Sequence, residues 1–109
     1  MEIIKKEQDG IIVISPCGRL GFDEASEAQA AIESAISECS NGVVVDCSSL
    51  EYVSSAGLRA FLVGAKAAET KGVSFSACAL DKNVESVFTI SGFDRIVSLH
   101  ATLEDALGQ

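Results

Sequence analysis

Hydrophobic residues along the chain fall into short continuous runs and longer stripes at helical spacing, and the two patterns alternate. Ile3 and Ile4 open a short strand-like run that the turn signal Asp9-Gly10 breaks. Residues 11–17 (IIVISPC) are β-branched and continuous enough for a buried strand, so the two runs read as a hairpin at a sheet edge. Residues 18–22 are expected to form a loop, with Asp23 as helix N-cap and Glu24 in the first turn, where acid complements unpaired N–H groups. Ala25, Ala28, Ile32, Ala35, Ile36 and Cys39 then recur at helical spacing, while Glu27, Glu33 and Glu38 lie off that stripe. Asn41-Gly42 stops this helix, and residues 43–47 (VVVDC) form a compact apolar run suited to a central strand packed on both faces.

A loop leads to Leu58, Phe61, Leu62 and Ala65, which sit at i, i+3, i+4 and i+7 of a second helix that Lys71-Gly72 closes. Residues 73–79 alternate Val, Phe, Ala, Ala against Ser, Ser, Cys, a strand with one less apolar face. Val84, Val87 and Phe88 mark a short third helix ending near Gly92, and residues 95–100 (RIVSLH) read as a final edge strand. Thr102 or a neighbour caps a last helix through Leu103, Ala106 and Leu107. The predicted order is β-β-α-β-α-β-α-β-α. Strands separated by helices require crossover connections, right-handed by rule, so the expected fold is α/β with a mixed, mostly parallel sheet of about five strands. With no linker, repeat or low-complexity tract, the 109 residues are expected to form one domain over residues 1–109.

Charge narrows the partners. Eight basic residues against sixteen acidic ones give a formal net charge of −8. Such a surface repels phosphate backbones and anionic lipid, which argues against direct nucleic-acid binding and against a membrane surface. Tight nucleotide binding without a basic pocket is disfavoured for the same reason. No apolar run approaches the ~20 residues that span a bilayer, so membrane insertion is not expected. The first ten residues, MEIIKKEQDG, lack the pattern of a signal peptide, and a cytoplasmic protein is expected. Cys17, Cys39, Cys47 and Cys78 show no CxxC pairing and the chain has one histidine, so no metal site is expected and the cysteines read as reduced, mostly buried thiols.

The stretch EYVSSAGLRAFL carries the remaining chemistry. Ser54 or Ser55 suits a helix N-cap, because a serine hydroxyl satisfies one of the first unpaired N–H groups. Two serines stand where one cap suffices, and Ala56-Gly57 leaves the helix start bare, so a phosphate carried there meets free donors and the positive end of the helix. Asp46 at the end of its strand reads equally as an acceptor for loop N–H groups or as part of the surroundings of these serines. The chain holds no G-x-S-x-G, Walker A, G-x-G-x-x-G or HExxH pattern. A small enzyme using Ser55 with Asp46 and His100, or Cys47 as nucleophile, ranks last because no general base is apparent in sequence.

At these residues the chain resembles the anti-sigma factor antagonists, small STAS-domain proteins of bacteria. The likeness runs almost end to end, through IIVISPCGRL, VVVDCSSLEYVSSAGLRAFL and LDKNVESVFTISGFDRIVSLHATLEDAL. It implies a mixed sheet with helices mainly on one face. It also implies a non-enzymatic partner switch without a cofactor: the unphosphorylated protein binds an anti-sigma factor that is also a serine-protein kinase, and thereby frees a sigma factor. Phosphorylation breaks that complex and a PP2C-type phosphatase restores it. The family's acceptor, two residues before the glycine of S-x-G-L, corresponds to Ser55. The surroundings of that site here are Asp23, Asp46, Ser54, Ala56, Gly57, Leu58 and Arg59. This chain differs from many members in carrying Ser54 and Gly21 where they carry Asp, which removes two acids from around the acceptor and makes Ser54 a competing hydroxyl. The alternative implied is a STAS docking subunit of a transporter ATPase or a signalling assembly, which uses the same face without phosphorylation.

Overall fold

A computed structural model describes residues 1–108 and joins every strand into a six-stranded sheet. Strands β1 (Glu2–Gln8) and β2 (Ile11–Leu20) form the antiparallel hairpin. Its turn needs left-handed backbone at Asp9 (φ 53°) and Gly10 (φ 82°), which an Asp-Gly pair accepts most readily. Strands β3 (Gly42–Asp46), β5 (Ser74–Cys78) and β6 (Ser98–His100) then add in parallel, giving the order β1-β2-β3-β5-β6.

Helices α1 (Ala25–Glu38), α2 (Ser55–Lys71) and α3 (Lys82–Ile90) contribute their apolar stripes to the larger core, where Ile32, Ile36, Phe61, Val84 and Phe88 meet Val43 and Val45 of β3. The short α4 (Leu103–Ala106) lies on the other face, over Val13, Val44 and Cys78. Because β3 divides its valines between the two cores, its continuous apolar run is that of a central strand, and the helices are mainly on one face. Lys71 ends α2 but reaches sideways: its Nζ donates to the carbonyls of Ile36, Ser37 and Cys39 at 2.7, 2.8 and 2.9 Å, satisfying the open end of α1.

Four local expectations need correction. Residues 18–20 are strand rather than loop, because β2 continues past a bulge between Gly18 and Arg19. A sixth strand, β4 (Leu50–Val53), pairs in parallel with this extension, with Leu20 opposite Val53. Four residues carry too little periodicity to be read as a strand, and the pairing depends on a partner some thirty positions away. Asp23 is not the cap of α1. Glu24 occupies that position, and its Oε1 accepts the N–H of Gly21 at 2.9 Å instead of capping the helix. Finally, Arg95 lies in a 3-10 turn (Phe93–Arg95), and only Ser98–His100 forms the last strand. The four cysteines are unpaired; Cys39, Cys47 and Cys78 are buried and Cys17 is half-buried.

Candidate functional site

The parallel pairing of β4 with the end of β2 sets the start of α2. Leu20 accepts the N–H of Ser54 at 2.9 Å, and Val53 stands beside it in register. Ser54 then turns out of the strand with φ −84° and ψ 173°, and its Oγ accepts the Gly57 N–H at 3.1 Å. Its carbonyl accepts the Leu58 N–H at 2.9 Å, so Ser54 is the N-cap with both oxygens engaged. Ser55 is the first helical residue and is exposed, outside that capping bond. The two serines therefore do different work.

Gly57 and Leu58 serve the site from behind. A Cβ on Gly57 would lie 2.8 Å from Leu20 Cγ and 3.0 Å from the Leu20 carbonyl, so only glycine lets α2 seat this closely on β2. Leu58 is 5% exposed and belongs to the core. In front, Ser55, Ala56 and Arg59 join Phe22 in lining an open groove of about 370 Å3. Phe22 is 82% exposed, in the loop that Glu24 fixes through Gly21. Sequence reasoning assigned Phe22 only to a loop; its one signal is an aromatic between a strand and a helix, and whether such a ring is buried is decided by the fold. Asp23, next to it, is exposed. Asp46, at the end of β3, accepts the Ser48 N–H through Oδ1 at 3.1 Å, a loop-holding bond, and does not line the Ser55 groove.

The nucleophile readings find different surroundings. His100 lines a separate cavity of about 140 Å3 with Leu80, Glu85, Leu99 and Ala101, and shares no lining residue with the Ser55 groove. Cys47 is 1% exposed. Burial first, then the neighbouring Cys78 and Asp46, push its thiol far up, away from a reactive thiolate. Cys78 is likewise pushed up to about 11, mainly by burial.

The division between the serines predicts unequal responses to mutation. Ser54→Ala removes the cap and should lower unfolding free energy by about 1 kcal/mol in urea titration. Ser55→Ala should stay within about 0.5 kcal/mol of wild type. Equal losses would contradict the assignment of the cap to Ser54.

Fold and site together define a small α/β domain that presents a serine at a helix start beside an exposed aromatic. The chain belongs to the STAS domain family, which matches residues 2–106. It is 31% identical over 93 residues to BtrV of Bordetella bronchiseptica, named an anti-sigma factor antagonist, an alignment covering 85% of this chain and 80% of that one. An anti-sigma factor antagonist from Mycobacterium paratuberculosis superposes with a TM-score of 0.85 at 26% identity, covering 98% of this chain and 91% of its own. The Bacillus cell fate determinant SpoIIAA in its phosphorylated form superposes with a TM-score of 0.74 at 19% identity, covering 98% and 97%. Among the described residues, no helix is long and apolar enough to cross a membrane.

Proposed function

We propose that this protein is a cytoplasmic anti-sigma factor antagonist that acts by partner switching. Unphosphorylated, it docks an anti-sigma factor with serine-kinase activity through the groove of Phe22, Ser55, Ala56 and Arg59, and so releases a sigma factor. The kinase then transfers a phosphoryl group to Ser55: Oγ bonds to the γ-phosphorus of ATP, the β–γ bridging bond breaks, ADP leaves, and the hydroxyl proton passes to a base on the kinase. A dianion in a close, partly desolvated interface is unfavourable unless a partner cation meets it, so the complex dissociates. A PP2C-type phosphatase hydrolyses the ester and resets the cycle.

The observation that carries this reading is the exposure of Ser55 beside a Ser54 already committed to the cap. A phosphate on Ser55 leaves the capping bond intact, whereas one on Ser54 would disrupt it. Kinship with proteins named anti-sigma factor antagonists supports the class of partner.

The test is intact mass after incubation with ATP-Mg and the serine kinase encoded nearest the gene, using wild type, Ser54→Ala and Ser55→Ala. One added phosphate, lost only in Ser55→Ala, is the expected result. A stable complex with no phosphate would instead make this chain a constitutive docking subunit.

A further inference from the structure

Arg59 stands one helical turn beyond Ser55 on α2, and both side chains line the groove beside Phe22. Residues at i and i+4 are surface neighbours, with Cβ atoms ~5–6 Å apart, and the anion-first order is the favourable one. Arg59 is exposed and takes part in neither ion pair found among the described residues, which are Met1 with Glu27 and Lys5 with Glu38. Arg19 lies 4.3 Å from the centre of the Tyr52 ring, and Lys71 is tied to the end of α1. Among the described residues lining this groove, Arg59 is the one basic side chain.

We infer that Arg59 captures the phosphate of phosphorylated Ser55 within the same chain. The inference rests on the phosphorylation proposed above and specifies how the modified state is held. A guanidinium presents paired donors that match two phosphate oxygens, which makes arginine the suited partner at this spacing. Phosphorylation then does two things to the groove. It adds a dianion, and it withdraws the only lining cation from any acidic group of the partner. The local charge passes from +1 to about −1, counting ~−2 for the phosphoserine.

The experiment encodes phosphoserine directly at position 55, so that no kinase is needed, and follows the 31P chemical shift through a pH titration. With Arg59 present, the second ionisation of the phosphate should fall roughly 0.15–0.4 of a unit below that of the Arg59→Gln variant. Arg59→Lys should recover part of the shift, and 1 M salt (Debye length about 3 Å) should shrink it. Identical midpoints with Arg59 and in the Arg59→Gln variant, with unchanged circular dichroism, would overturn the capture. Failure of any kinase to modify Ser55 would refute the switch while leaving this titration valid, so the two ideas fail separately.

Discussion

Phe61→Ala is expected to remove about 3–5 kcal/mol of unfolding free energy, read as a large fall in the urea midpoint. Phe61 is 0% exposed on α2, and its ring meets Phe88 of α3 edge-on at 5.0 Å and 89°. Phe75 of β5 lies 6.4 Å away at 58°, so one side chain joins two helices to the sheet. Alanine would leave a cavity facing two rings that are themselves anchored, and such a site collapses poorly. Domains of this size are typically stable by about 5–15 kcal/mol, so the variant should lose a large share of its reserve. A loss under about 1 kcal/mol would show that these rings do not form one continuous core.

Gly64→Val should destabilise by about 2–3 kcal/mol through overpacking. A Cβ at Gly64 would lie 2.5 Å from Ile32 Cγ2 and 2.9 Å from Phe75 Cζ, both buried side chains. Gly64 is thus a point where α2 approaches α1 tightly over β5. Gly64→Ala adds the same first atom but gains ~1 kcal/mol of helix propensity, so its loss should be clearly smaller. If valine were tolerated as well as alanine, the close approach of the helices would be refuted. The contact also bears on the site: α1 begins just after the Phe22 loop and α2 begins with Ser55, so forcing these helices apart should open the groove and weaken the partner binding proposed for it as well as stability.

The long elements were legible because each carries its own period. The Ala28, Ile32, Ala35, Ile36 stripe of α1, the valines of β3, and Leu58 and Phe61 of α2 are buried as their spacing requires, whereas Leu62 and Ala65 of the α2 stripe are only half-buried. What escaped were features held by distant partners. Strand β4 is four residues whose ladder depends on the far end of β2, and the cap expected of Asp23 gives way to a Glu24 carboxylate turned toward Gly21. In the candidate site, sequence placed Ser54, Ser55 and Arg59 together because they are close in the chain. It did not separate the two serines: either hydroxyl satisfies a helix start in sequence, and only the backbone angles at Ser54 decide which one caps.

The sequence by itself determined the alternation of strands and helices, the apolar face of each long helix and the strongly acidic charge, because local periodicity and composition are written residue by residue. Tertiary structure alone decided that Phe22 is exposed beside Ser55, that Asp46 accepts the Ser48 N–H of its own loop, and that Lys71 closes the end of a neighbouring helix. Those outcomes depend on which surfaces the packed sheet and helices cover. Burial and pairing are properties of residues brought together across the chain, and no single stretch of sequence contains them.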